Sequence, residues 1–133
     1  MFWLGLDPGR TTGVAIATVT NTSLDVFSYN SEIFLKLCQD EPQIFSLIDS
    51  MFDKVIIEKF PLRTSPIYSY LDQIFGTKKF IRILPGHWKP IAKARKWKYK
   101  NISQHESDAL NLLRYHFLIT RNIDPNIIFQ SGG

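Results

Sequence analysis

Apolar and polar positions along this chain alternate between two periods, and the changes of period mark its elements. Phe2–Asp7, FWLGLD, is a nearly continuous apolar run ending on a carboxylate, the pattern of a strand buried on both faces. GVAIATVT over 13–20 and LDVFSYN over 24–30 are β-branched and aromatic, and Thr20-Asn21-Thr22-Ser23 between them supplies turn chemistry. The first three elements therefore predict an antiparallel meander. From Ser31 to Phe52 the apolar residues Phe34, Leu35, Leu37, Ile44, Phe45, Leu47, Ile48 and Met51 recur at helical spacing, interrupted near Pro42.

KVIIE (54–58) reads as another buried strand. PIYSYLDQIFG (66–76) reads as a helix with Pro at its start and Gly at its end, and KFIRIL (79–84) as a strand closed by Pro85 and Gly86. A basic connection comes next. The last element, 103–121, is an amphipathic helix with Ala109, Leu112, Leu113 and His116 or Phe117 on its apolar side. Ser103 is placed to cap it, and Glu106, three residues on, completes a capping box. The order β, β, β, α, β, α, β, α is that of an α/β domain.

At 133 residues the chain is one domain, expected over 1–130, with Ser131-Gly132-Gly133 as a frayed tail. No apolar run approaches the roughly 18 residues that span a bilayer, and the first residues lack the pattern of a secretory signal. Cys38 is alone, so no internal disulfide forms, and an intracellular, cytoplasmic location is expected.

Charge changes the picture through its distribution. From Lys59 to Lys100 there are 11 Lys or Arg residues and one acid, Asp72, whereas the remainder holds 5 basic and 11 acidic residues. Within that block HWKPIAKARKWKYK (87–100) combines Lys89, Lys93, Arg95, Lys96, Lys98 and Lys100 with Trp88, Trp97 and Tyr99. Cations displace counterions from phosphates and aromatic rings stack on unpaired bases, so the expected partner is nucleic acid. The competing reading is a solvated helix face with a packed tryptophan or two.

The carboxylates complete the set. Asp7 ends a buried strand in GLDPGRTTG, where an unpaired charge is costly. Glu58 ends VIIE, while His105 and Asp108, at i and i+3, share one face of the last helix. If the fourth strand pairs beside the first, Asp7 and Glu58 meet at the carboxyl ends of the sheet, the usual ligand crevice of open α/β folds. Hard oxygen donors in that arrangement fit two Mg²⁺ or Mn²⁺ ions and phosphodiester hydrolysis. Each residue keeps a plainer alternative: Asp7-Pro8-Gly9 as a turn, Glu58 paired with Lys54 or Lys59, Asp108 solvated, His105 a helix-start hydrogen bonder.

These motifs carry a family resemblance. GLDPGRTTG resembles the first-strand motif of the RuvC-type Holliday junction resolvases, VIIEKF their fourth strand with a catalytic Glu, and HESDALNLL their last-helix motif. The resemblance implies a ribonuclease H-like fold, with a mixed five-stranded sheet of three antiparallel and two parallel strands. It implies Asp7, Glu58, His105 and Asp108 as catalytic metal ligands, and a homodimer that nicks branched DNA in pairs. Arg10, Phe60, Lys89, Lys93, Arg95, Lys96, Lys98 and Lys100 become the DNA-binding set, with Phe60 resembling the aromatic that enters the junction. The stretch between the fourth strand and the last helix is shorter than in the cellular enzymes, and their glycine-rich basic loop is missing, as in compact phage-encoded members. Ile67, Tyr70, Leu71, Ile74 and Phe75 offer a face for a second copy. Rivals of other classes are an RNA-processing nuclease of the same fold, YqgF-like or ribonuclease H-like, a non-catalytic nucleic-acid module, and an actin-like ATPase. The ATPase needs a second subdomain for which this chain has no room, and no nucleotide cofactor or membrane partner is expected.

Overall fold

A computed structural model describes residues 2–8, 10–18, 24–41, 43, 47, 50–58 and 80–121. Strands β1 (Phe2–Asp7), β2 (Thr11–Thr18) and β3 (Leu24–Asn30) form the expected meander, and β4 (Phe52–Glu58) and β5 (Phe80–Ile83) complete a five-stranded sheet in the order β3-β2-β1-β4-β5. The pairings β1–β2 and β2–β3 are antiparallel, while β1–β4 and β4–β5 are parallel. This is the mixed sheet the element order implies. Strand β2 begins two residues earlier than the apolar pattern indicates because Thr11 and Thr12 pair with Asn30 and Tyr29, and backbone pairing needs no apolar side chain.

Helix α1 (Ser31–Asp40) follows β3 directly, and Asn30 Oδ1 accepts from the Ile33 amide. Glu41 is not helical whereas Gln43 is, in keeping with an interruption near Pro42. The expected helix over 66–76 lies outside the described residues. The basic connection begins with helix α2 (Pro85–Ala94), which has Pro85 in its first turn. Helix α3 (Gln104–Arg121) is the last described element, and its capping box forms as expected, with the Glu106 amide donating to Ser103 Oγ (3.2 Å) and the Ser103 amide donating to Glu106 Oε1 (3.0 Å).

Period-two alternation assigns the faces of the sheet. Trp3, Ala15, Ala17, Ile56 and Ile83 pack with Trp88, Ala92 and Trp97 and with Ala109, Leu110, Leu112, Leu113 and Phe117 of α3. Leu4, Leu6, Val14, Phe52, Val55 and Ile57 form a second cluster on the opposite face. Each α3 residue that the periodicity assigns to the apolar side is buried. Among the described residues, no helix is long and apolar enough to cross a membrane.

His116 sits in the larger core. It is 3% exposed, meets the Trp3 ring edge-on at 5.3 Å, and neither ring nitrogen has a hydrogen-bond partner. Burial, with Lys54 nearby as a smaller cause, lowers its pKa to about 4. The folded-state pKa lies below the unfolded value, so the neutral ring's contribution is complete above about pH 6.5. It is lost as pH falls toward 4. Urea titrations between pH 7 and 4 will therefore show a steeper acid loss for the native chain than for His116→Leu, a difference on the order of 1–3 kcal/mol. Parallel pH profiles would show that the imidazole is not held neutral.

Candidate active site

Parallel pairing of β1 and β4 brings their carboxyl ends together. Leu6 is in register with Ile57, so Asp7 and Glu58 emerge side by side, one residue beyond the last paired positions of that ladder. Alternation from Trp3 and from Ile56 puts both on the α3 face of the sheet.

Two glycines bring the helix to them. Gly13 is paired with Asp7 across the β1–β2 ladder, and a Cβ there would run into the backbone carbonyl of His105 and the amide of Glu106. Gly5 lies beneath the next turn, where a Cβ would meet the carbonyl of Ala109 and the side chain of Leu113. The first two turns of α3 thus rest backbone-to-backbone on the sheet, a closeness only glycine permits. His105 Nδ1 consequently lies 3.3 Å from Asp7 Oδ2 although the two are 98 residues apart. Asp108, one turn on, has its Oδ1 held by Gln104 Nε2 at 2.7 Å.

The electrostatics are those of a crowded anionic site. Burial raises the Asp7 pKa, Asp108 raises it further, and His105 and Lys89 oppose. Glu58, 3% exposed, is pushed up to about 7, chiefly by burial and also by Asp7 and Asp108, with Lys89 opposing. Asp108 is raised by burial against the Gln104 hydrogen bond, Lys89 and His105. The plainer reading of Glu58 therefore fails for Lys54, whose Nζ sits over the Trp3 ring instead.

Lys89 is exposed like the other cations expected to bind DNA, and it also lowers the pKa of all three carboxylates. Helix α2 starts two residues after Ile83, which pairs with Glu58, and so carries Lys89 toward the site. The tryptophans bring a correction: Trp88 and Trp97 are 2% and 5% exposed and belong to the core, so they cannot stack on bases. Lys93, Arg95, Lys96, Lys98 and Lys100 are exposed around the same region, and Arg10 is exposed just beyond β1. Phe60, and the apolar face from Ile67 to Phe75, lie outside the described residues.

Among the described residues, no three His, Cys, Asp or Glu side chains stand close enough to enclose an ion by themselves. The donor chemistry nonetheless fits Mg²⁺ or Mn²⁺. Such ions keep several waters and need only one or two carboxylates each, and three carboxylates raised by burial or by one another lack the charge a divalent cation supplies.

Sequence reading missed Gly5, Gly13 and Gln104. Gly5 left a trace, a residue without a side chain in the middle of an apolar strand, which marks close backbone approach.

Two outcomes test this geometry. Gly13→Ala forces α3 off the sheet and will cost about 1–3 kcal/mol in urea unfolding; unchanged stability would mean the helix is not seated there. For Glu58, the folded pKa lies above the unfolded 4.5, so its protonated form favours the fold at low pH, and stability declines as pH rises from about 4.5 through about 7. Glu58→Gln will accordingly raise the metal-free melting temperature at pH 8 and leave it nearly unchanged at pH 4. Equal melting of both proteins at pH 8 would refute the burial assigned to this carboxylate.

Comparison with known proteins agrees with the topology. No protein-family model matches the sequence, and no curated protein does. Among solved structures, T. thermophilus RuvC in complex with a Holliday junction substrate superimposes with a TM-score of 0.57 at 12% identity, covering 92% of this chain and 96% of that one. Fowlpox virus resolvase in complex with Holliday junction DNA aligns over 98% of this chain and 99% of its own with a TM-score of 0.43 and 16% identity. This chain therefore shares the fold of T. thermophilus RuvC, here a mixed five-stranded sheet in the order β3-β2-β1-β4-β5 with a helix laid across its first strands.

Proposed function

We propose that this chain is a metal-dependent, structure-selective endodeoxyribonuclease that resolves four-way or branched DNA junctions. One observation carries the reading: Asp7, Glu58 and Asp108, from three separate elements, share one electrostatic neighbourhood at the carboxyl ends of β1 and β4, beside an exposed basic surface. The RuvC fold and the junction in that neighbour's complex support the choice of substrate.

In this reading Asp7, Glu58 and Asp108, with His105, would hold two Mg²⁺ or Mn²⁺ ions, which when bound supply the activated water and stabilise the leaving oxygen. The chain's own residues prepare that state. Asp7 and Glu58 stand on paired backbone, so little backbone ordering remains when substrate arrives. His105, half exposed at the lip and next to Asp7, is placed to hold a proton or to complete the ligand set. Lys89 partly balances the carboxylates in their metal-free state. Exposed Arg10, Lys89, Lys93, Arg95, Lys96, Lys98 and Lys100 would hold the DNA backbone. Resolution needs two symmetric nicks, so the working unit would be a homodimer with two sites.

The test is a panel of labelled four-way junction, flap, duplex, single strand and RNA–DNA hybrid, each with Mg²⁺, Mn²⁺ or EDTA. Paired nicks confined to the junction and abolished by EDTA are expected. Cutting only the hybrid would replace this reading with an RNA-processing nuclease, and binding without cutting would leave a nucleic-acid module. Asp7→Asn and Asp108→Asn will lower junction cleavage by several orders of magnitude while junction binding persists, because the lost group serves the transition state. Wild-type cleavage by a folded Asp7→Asn protein would reduce Asp7 to a turn residue.

A further inference from the structure

The end of α2 breaks a local rule. Its last carbonyls are closed by a Schellman turn: the Trp97 amide donates to the Ala92 carbonyl (3.0 Å) and the Lys96 amide to the Lys93 carbonyl (3.2 Å). That turn requires a left-handed residue one position past the cap Arg95, where glycine is the usual occupant. Here Lys96 takes it, with φ 58°, a conformation that is strained for any residue with a Cβ. Asn101, at φ 65°, is the other non-glycine residue in this region among those described, but asparagine tolerates it. A strained lysine where glycine would fold better points to a use for its side chain.

The segment beyond the turn shows that use. From Lys96 to Lys100 the residues alternate lysine outward and aromatic inward: Lys96, Lys98 and Lys100 are exposed, Trp97 is buried and Tyr99 half-buried. The aromatics are anchored to α3. Arg114 lies over the Trp97 ring at 4.5 Å and over the Tyr99 ring at 5.5 Å. Its guanidinium donates to the Tyr99 hydroxyl (2.7 Å), which in turn donates to Asn111 Oδ1 (2.7 Å). No acid occurs in the sequence between Asp72 and Glu106, so the three ammonium groups have no acidic neighbour along their own segment.

We propose that Lys96, Lys98 and Lys100 form a preorganised comb for the phosphate backbone of DNA, with Trp97 and Tyr99 as its pins into the helix that carries His105 and Asp108. The comb rests on the DNA-binding reading above and deepens it. Its rings point inward, so it reads charge and not bases, and it grips linear duplex as well as junction. Selectivity for branched DNA then has to come from elsewhere in the molecule. Because the pins fix the backbone that carries the lysines before DNA arrives, little backbone freedom remains to be lost on binding.

Four variants test this by thermal melting and by the salt dependence of binding to a labelled linear duplex and a four-way junction. Lys96→Gly will melt roughly 3–5 °C higher through relief of the left-handed strain, yet bind both DNAs several-fold more weakly, with a salt slope flatter by about 0.9. Lys96→Ala keeps the Cβ, so it will lose the same affinity without the gain in melting temperature. Lys96→Arg will resemble the native chain in both readouts. Tyr99→Phe removes the hydroxyl links to Arg114 and Asn111 but no charge, so affinity will fall with the slope unchanged. An unaltered affinity and slope in Lys96→Gly, or a Lys96→Gly protein that melts no higher, overturns the comb even if junctions are cut. A native protein that binds both DNAs with the stated Lys96 effects but cuts no junction refutes the nuclease reading and leaves the comb standing.

Discussion

The site depends on one steric fact: the first two turns of α3 lie on glycine. Were Gly13 or Gly5 any larger, the carbonyls of His105 and Ala109 would be displaced outward. His105 and Asp108 would then move away from the strand ends where Asp7 and Glu58 are fixed. Strand pairing locates two functional groups to within the tolerance of a hydrogen-bond ladder, and the helix brings the others only if its backbone can approach the sheet. The small residues opposite, Ala15 and Ala17 on β2 and Ala109 on α3, all fully buried, extend the same close seam toward the core.

Close seating has an electrostatic cost. Asp7, Glu58 and Asp108 each carry a raised pKa, with burial as the largest cause, and the Asp7 and Glu58 values are raised further by neighbouring carboxylates. Lys89 offsets part of this, from a basic helix that begins directly after β5. The fold supports such a cluster because the opposite end of the same sheet face is dominated by aromatic packing: Trp3 against Phe117 and His116, with Lys54 over the Trp3 ring. Apolar packing is concentrated there, and the carboxylates at the other end carry the electrostatic cost of burial.

The basic segment shows the same division at smaller scale. Its tryptophans and tyrosine commit their rings to the core, and the lysines between them project outward. Arg114, buried beneath two of those rings and hydrogen-bonded to Tyr99, ties the segment to the helix bearing Asp108. A surface suited to phosphates and a helix that holds carboxylates are thereby joined by one set of contacts.

Much of this was legible in the amino-acid order. The strands β1 and β3, the capping box at Ser103 and Glu106 and the apolar stripe of α3 follow from local periodicity, and Asp7 and Glu58 stand out as carboxylates where apolar runs end, whereas His105 and Asp108 are singled out by their i, i+3 spacing and the family resemblance. Those signals are local because hydrogen-bond periods and caps act over a few residues. Three things were decided only by tertiary packing. Whether Trp88, Trp97 and Tyr99 face solvent or core depends on what lies beneath them, and a mixed aromatic and basic string fits either arrangement. Lys89 differs from its neighbouring lysines only in where α2 begins relative to Glu58, a consequence of β4–β5 register. The contact of His105 with Asp7 joins residues 98 apart, and it exists because two glycines on neighbouring strands let a helix backbone come to rest on them.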